Sequence, residues 1–306
     1  MNIKEIEYIL KIAEEGNLTR AAEKIYLTPS ALNQQILNLE RNLGQPLFLR
    51  DRNGWIPTEA GIVYLEGARQ ILQIKQNTYR RLQDLRDAET GSLAIGFPPE
   101  RGGAVFNHIY TIFHQQYPRL TIKLIETSVK EQHRLLEQGQ LDIGFVTLLP
   151  SQQENFMYQY ICDEEFVLVL PKIYASRYKL KFIDWVTLRS LSKELPLAMI
   201  SKDSTLYRCL TDLFQKNEFV PYILLESARI HTLLEAVGAG FCFSIVPKSN
   251  VITPQANIEL FPLQGRPSWQ IMSVYKKNAY LTEAAKTFIA LSSRYWQTLL
   301  GKRDII

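Results

Sequence analysis

The sequence predicts an α/β chain of more than one domain, and three observations carry that expectation. Up to about residue 90 the apolar residues recur at helical spacing, broken by a single hairpin signal; one long helix follows that hairpin; and after Glu89-Thr90-Gly91 short apolar strands alternate with helices. With 306 residues and 46% apolar content, the chain is long enough for two or three domains, each with its own core. No apolar run approaches the roughly 18 residues that cross a bilayer, and the start, MNIKEIEYILKIAEE, is acidic and amphipathic, unlike an export signal. A cytoplasmic location is therefore expected. Cys162, Cys209 and Cys242 are odd in number, far apart and set among apolar residues, so buried thiols are expected and neither a disulfide framework nor a metal site.

The net charge of +4 is no guide to a polyanionic partner, because residues 1–90 hold 12 Lys and Arg against 12 Asp and Glu. Nucleic-acid binding has to be argued from local geometry. Ile3, Ile6, Ile9, Leu10 and Ala13 define a first amphipathic helix that Gly16 ends. Asn17 or Thr19 can cap a short second helix from Thr19 to about Ile25. A third helix opens with Thr28 as N-cap, Pro29 in the first helical position, where its missing N–H is not needed, and Leu27 placed to staple onto Leu32. Leu32, Ile36, Leu39 and Leu43 form its apolar stripe, and Gly44 stands where a left-handed residue stops it. Ser30, Asn33, Gln34 and Leu37 face the other way. On an arbitrary helix such a face is merely solvated. On the second of two short helices joined by a tight turn it suits a major groove, where Asn and Gln pair bidentately with adenine and Ser meets several base edges.

Pro46 to Thr58 hold two short apolar runs around Asn53-Gly54, a strong hairpin signal, flanked by Arg50 and Arg52. Arginines on such a wing are placed to hold phosphates or enter a minor groove. Residues 1–58 thus read as a winged helix-turn-helix. Its candidate DNA-contacting residues are Thr28, Ser30, Ala31, Asn33, Gln34 and Gln35 on the helix, Arg50 and Arg52 on the wing, and Thr58 just after it.

The stretch NLTRAAEKIYLTPSALNQQILNLERNLGQPLFLRDRNGWIPTEAG, residues 17–61, resembles the DNA-binding domain of LysR-type transcriptional regulators. The Ala-Ala of the second helix, the Leu32-x-x-Gln35-Ile36-x-x-Leu39-Glu40-x-x-Leu43-Gly44 run, the Leu47-Phe48-x-Arg50 wing and Thr58-x-Ala60-Gly61 are in register. The family usually carries serine where Thr28 stands, proline one place after Pro29, serine at position 33, and basic residues near Gln34 and Leu37. The departures imply fewer phosphate contacts from this helix and base readout shifted toward amides.

From Thr58 to about Asp87 the pattern predicts one long helix, with Leu65, Ala68, Leu72, Tyr79 and Leu82 at three- and four-residue steps and Lys75 interrupting the seam. The resemblance makes residues 59–88 a linker and dimerisation helix, pairing two recognition helices on the half-sites of a pseudo-palindromic double-stranded DNA. Beyond it the expected strands lie at 93–97, 120–126, 141–146, 166–170, 197–200, 223–226, 243–246 and 271–275. Helices are expected at 104–117, 129–139, 205–216 and 230–238 and from 282. The segments QLDIGF and EAVGAGFCFSIVP are similar to the two-lobed, periplasmic-binding-protein-like effector domain of the same regulators, which implies a domain at 91–306. Its lobe 1 would cover about 91–162 and 266–306, and its lobe 2 about 163–265.

In open α/β sheets a small ligand settles beyond the carboxyl ends of strands, on helix N-termini. The candidate effector-contacting residues are therefore Phe97, Pro98, Glu100 and Arg101 after the first strand of this domain, Thr127 and Ser128 after the second, Val146 at the end of the third, and Ser201 and Thr205 after the strand at 197–200. The resemblance implies Ser or Thr at these loops, and Thr127, Ser128, Ser201 and Thr205 fit it. The first loop departs. Its Arg101 can clamp a carboxylate or phosphate, which would make the effector anionic, or can simply pair with Glu100 at the surface. Enzyme chemistry is not expected: His108, His114, His133 and His231 lack metal-ligand spacing, no nucleophile-elbow or phosphate-loop glycine pattern occurs, and no cofactor is implied. A solute-binding protein would suit the rear two-thirds alone. The resemblance implies a homodimer or homotetramer that answers to a small-molecule effector, with RNA polymerase as a candidate partner.

Overall fold

A computed structural model describes residues 2–51, 54–87, 90–176, 182–252 and 257–301, so Arg52 lies outside the described residues. The chain forms two compact units, Met1–Gln83 and Asp84–Ile306.

The first unit opens with α1 (Ile3–Glu15), whose Asn2 and Glu5 form a reciprocal capping box and whose end is set by Gly16 at φ +58°. The cap of α2 (Leu18–Lys24) is Asn17, which accepts the Arg20 N–H at 3.1 Å. In α3 (Pro29–Leu43) the Thr28 hydroxyl accepts the Ala31 N–H at 3.2 Å, proline leads the first turn, and Gly44 ends the helix at φ +70°. A hairpin of β1 (Phe48–Asp51) and β2 (Gly54–Pro57) follows, with Arg50 opposite Trp55. It is strapped to the turn after α1 by the Trp55 N–H on the Gly16 carbonyl at 2.9 Å. A side chain on Gly54 would put its Cβ 2.4 Å from that oxygen, so the close approach requires glycine there.

Two expectations change here. Leu43 is 46% exposed, and the α3 stripe ends instead on Glu40, which is buried. In α4 (Glu59–Asp87) the residues expected to form an intermolecular seam divide: Leu65 and Ala68 are buried against Ile6, Ile36 and Phe48 in the unit's own core, with Leu72 packed beside them, whereas Tyr79 and Leu82 are exposed. The opposite face of α4 carries exposed Val63 and Ile74, eleven residues and hence three turns apart. The three- and four-residue steps were a core-packing signal at their start because a short three-helix unit needs a fourth helix to close its apolar face.

The second unit is an α/β structure built on a nine-stranded sheet, ordered β4-β3-β5-β11-β6-β9-β7-β8 with β10 paired to β6. In chain order it comprises β3 (Thr90–Phe97), α5 (Gly102–Gln116), β4 (Arg119–Glu126), α6 (Val129–Glu137), β5 (Ile143–Leu148), β6 (Phe156–Pro171), α7 (Lys172–Ala175), α8 (Trp185–Glu194), β7 (Leu197–Ile200), α9 (Thr205–Lys216), β8 (Ile223–Ser227), α10 (Ile230–Gly238), β9 (Phe243–Pro247), β10 (Ile258–Pro262), β11 (Ser268–Lys276) and α11 (Glu283–Gly301). The long β6 makes the two lobes: through Glu165 it pairs with β11, and from Phe166 it pairs with β9 while Val167 to Pro171 also pair with β10. Lobe 1 packs α5 and α11 on the sheet through Phe97, Phe113, Phe145 and Phe288; lobe 2 buries Leu168, Leu188, Leu197, Leu210, Leu233 and Phe243. The first half of β6, α8 and β10 had no expectation. The start of β6 is one partly exposed strand carrying Gln159, Asp163, Glu164 and Glu165, so it offers no apolar run to read.

Candidate nucleic-acid interface and ligand pocket

In the first unit the candidate reading residues come from one end of α3. Thr28, Ser30, Ala31, Gln34 and Gln35 are exposed and Asn33 is half-buried. Thr28 is occupied as a cap, with its hydroxyl 3.2 Å from that of Ser30, and Gln34 donates to Asn38 at 3.0 Å, one turn on. Among the described residues neither Asn33 nor Gln35 has an intramolecular hydrogen-bond partner for its amide. The helix start thus presents the Ser30 N–H and a cluster of short polar side chains on one rigid turn, the arrangement that suits base edges and phosphates together.

The wing is held to this helix by Glu40. Its Oε1 accepts the Leu47 and Phe48 N–H groups at 2.8 and 3.2 Å, and its Oε2 accepts from Arg50, whose guanidinium also lies over the Trp55 ring at 4.6 Å. Arg50 is therefore positioned by two intramolecular contacts while a third of its side chain stays exposed. Thr58 donates to the Pro46 carbonyl at 2.7 Å and accepts the Gly61 N–H at 3.0 Å, which makes it the joint between wing and α4. Glu40 was missed in the sequence because a buried carboxylate on an apolar stripe reads as solvent-facing until its partners, seven to ten residues on, are known.

In the second unit a cavity of about 170 Å³ opens between the lobes, among the N-termini of α5, α6, α9 and α10. Six of the expected residues line it: Pro98, Glu100, Arg101, Ser128, Ser201 and Thr205. Three do not. Phe97 is buried in the lobe 1 core, stacked on Phe145 at 4.6 Å; Val146 is buried on the other face of β5; and Thr127 lies beside the cavity with its N–H bonded to the Phe97 carbonyl. Successive strand residues point to opposite faces, so Thr147, one place along, lines the cavity where Val146 cannot. Pro99, Val129, Ile200, Asp203, Ser204, Leu206, Ala228, Ile230 and Trp269 complete the wall and give it a mostly apolar surface.

Each helix end around the cavity has a cap that takes one or two of its N–H groups. Ser128 caps α6 and Ser204 caps α9; Glu126 takes the Gly102 and Gly103 N–H groups of α5, an approach that a side chain on Gly102 would obstruct at 2.9 Å; and Glu100 takes the Ile230 N–H of α10 at 3.0 Å. Arg101 lines the cavity and is not a surface partner of Glu100; its Nη1 is buried without a hydrogen-bond partner among the described residues. Its side chain is 6% exposed and donates to fully buried Glu164 at 2.7 Å, with its guanidinium over Trp269 and Trp296. Glu164 also accepts from the Trp269 indole at 2.6 Å and from the Ser249 N–H at 3.1 Å, so one carboxylate on β6 ties lobe 1, lobe 2 and the strand between them. Burial pushes the Cys162 thiol up to about 12 and the Cys209 and Cys242 thiols up to about 11, which favours the protonated form of all three. Among the described residues no group of three or more His, Cys, Asp and Glu is placed to hold a metal ion, and no helix is long and apolar enough to cross a membrane.

Residues 3–62 match the family described as bacterial regulatory helix-turn-helix protein, lysR family, and residues 86–297 match the LysR substrate binding domain. Among curated relatives, the HTH-type transcriptional regulator BudR of Raoultella terrigena is 28% identical over 86% of this chain and 90% of its own, and a probable RuBisCO transcriptional regulator of Cyanophora paradoxa is 30% identical over 68% of each. Among solved structures, full-length CbnR complexed with its target DNA has a TM-score of 0.54 at 22% identity, covering 96% of this chain and 100% of that one. A hydrogen-peroxide-bound cysteine mutant of Corynebacterium glutamicum OxyR has a TM-score of 0.61 at 20% identity, covering 98% and 94%. These two structures share the fold.

Proposed function

Because the chain belongs to the LysR family of transcriptional regulators, we propose that it reads its promoter through the amides at the start of α3 and adjusts that reading to a small molecule held between the two lobes. It is a DNA-binding regulator and not an enzyme, and its second unit is an effector-binding domain. The observation that carries the reading is the polar face of α3 from Thr28 to Gln35, capped and preorganised, with the amides of Asn33 and Gln35 unengaged among the described residues. Ser30, Asn33, Gln34 and Gln35 contact base edges; Thr28, Ala31 and the Ser30 N–H approach the backbone, with Arg50 and Arg52 of the wing and Thr58 beside it. Two copies, joined through the exposed apolar residues of α4, address the halves of a pseudo-palindromic site, and effector domains join dimers into a tetramer. The effector, in contact with Pro98, Ser128, Thr147, Ser201 and Thr205, binds one arrangement of the lobes more tightly and so shifts the population that holds the promoter and meets RNA polymerase. The site of action is the cytoplasm, where the DNA is.

Electrophoretic retardation of promoter fragments tests this reading. Asn33→Ala is expected to weaken specific binding by about 1–3 kcal/mol, roughly 5- to 150-fold, the worth of one bidentate amide-to-base pair. Binding to random-sequence DNA, which rests on phosphate contacts, should stay within about twofold. Equal losses on both DNAs would make the amides bystanders and remove this reading.

A further inference from the structure

Glu100 sits at φ +65°, a left-handed backbone that L residues with long side chains avoid and that glycine adopts freely. Such an outlier persists where its side chain is anchored. The anchor is on the other lobe: the Glu100 carboxylate accepts the first N–H of α10, from Ile230, across 130 residues of chain. That helix has no cap of its own, since Arg229 at the N-cap position makes no side-chain capping bond. The neighbouring helix ends differ. Ser128 and Ser204 stand next to the helices they cap, and Glu126 caps α5 within lobe 1. Glu100 alone among these caps reaches from one lobe to the other.

The carboxylate also decides what else can enter. Glu100 and Asp203 both line the cavity; among the described residues the one cation in its wall is Arg101, whose Nη2 pairs with buried Glu164 while its Nη1 is buried without a hydrogen-bond partner. At the N-terminus of α10 an incoming carboxylate would meet Glu100 itself, with Asp203 on the same wall, and a helix end whose first N–H is already taken. We propose that Glu100 is a resident carboxylate ligand of this pocket: it fills the anion seat at the N-terminus of α10, latches the two lobes together without effector, and closes that seat to anionic effectors. This rests on the reading of the cavity as the effector site, and extends it to the charge class that one seat refuses.

Glu100→Gly isolates the carboxylate, because glycine suits the left-handed backbone and the deletion removes the atoms of one propionate. Thermal unfolding of the full-length protein, followed by tryptophan fluorescence, is measured against propionate and its neutral analogue propionamide at constant ionic strength. The wild type is expected to show no saturable response to either. The Glu100→Gly variant is expected to unfold earlier and to be restored by propionate, with an apparent affinity about tenfold or more above that for propionamide, the size of one charge-assisted contact. Glu100→Gln keeps an acceptor for the Ile230 N–H and should ignore propionate, as the wild type does. Equal stabilisation of wild type and variant by propionate, rescue by propionamide as good as by propionate, or no rescue in either Glu100→Gly or Glu100→Ala would overturn the proposal. Domain stability is the readout, so the result stands whether or not any small molecule alters DNA binding.

Discussion

The start of α3 and the loop after β3 are both short, polar and placed at helix N-termini, yet they treat their side chains in opposite ways. On α3 the bonds are local: Thr28 reaches three residues forward and Gln34 four, and Asn33 and Gln35 are left for something outside the chain. On the β3 loop the bonds are distant: Glu100 goes to Ile230 and Arg101 to Glu164, and the polar groups hold each other. The proposed reading surface keeps donors and acceptors unengaged on a rigid frame, whereas the proposed effector site commits them to contacts that join two lobes.

The hardest test of that contrast is Glu164→Gln. It leaves Arg101 buried without its counter-charge and offers an amide where the Trp269 indole and the Ser249 N–H both donate, so the effector domain should lose about 3–5 kcal/mol. Denaturant unfolding followed by Trp269 and Trp296 fluorescence reads the loss, and Arg101→Met added to it should recover part, because the two residues act as a pair. Unchanged stability would mean that the ties between the lobes are incidental. None of these groups lies in the first unit.

A smaller effect is expected in the first unit from Glu40→Ala. Three donors, the Leu47 and Phe48 N–H groups and the Arg50 guanidinium, lose one acceptor, which should cost about 2–3 kcal/mol of stability in that unit. The wing is then no longer held to α3, so retardation assays should show specific and random DNA weakened alike, in contrast to Asn33→Ala. Selective loss of specific binding would instead make Glu40 part of the base readout.

The same division explains what could be read beforehand. Thr28, Pro29, Gly16 and Gly44 act on partners within a few residues, so their roles are written in local spacing, and the caps stand where the pattern places them. Ser128, Ser201 and Thr205 are legible as loop residues after strands. Phe97 and Val146 fail by a single step of strand alternation, which spacing cannot phase when a strand is buried on both faces: β5 shows no exposed position from Ile143 to Leu148. The role of Leu65 and Ala68 depends on what lies under α4, and helical spacing is the same for a partner chain as for the unit's own core. Glu164, which pairs with Arg101, and Trp269 and Ile230, which line the pocket, lie 63 to about 170 residues beyond Arg101, a separation no local pattern reports.

The gentlest perturbation is acid, and it should reach the effector domain through His133. This side chain is buried, stacked on Phe156 at 4.6 Å, with Nε2 3.1 Å from the Tyr158 hydroxyl and Nδ1 3.3 Å from the exposed Glu154 carboxylate. Burial holds its pKa below the ordinary histidine value, and the Glu154 and Glu137 carboxylates only partly offset that. The folded domain therefore binds fewer protons than the unfolded chain as the pH drops through about 6.5, the unfolded value. The stability linked to this group is complete above that pH and is lost below it, toward the depressed folded value. Unfolding midpoints at pH 7.5 and 5.5 should show the wild type weakened in acid and His133→Phe, which keeps a ring against Phe156, weakened less. An unchanged acid dependence in that variant would place the sensitive group elsewhere. A steeper one would mean that protonated His133 gains more from Glu154 than it loses by burial, and that this contact, like those of Glu100 and Arg101, is one of the domain's committed ties.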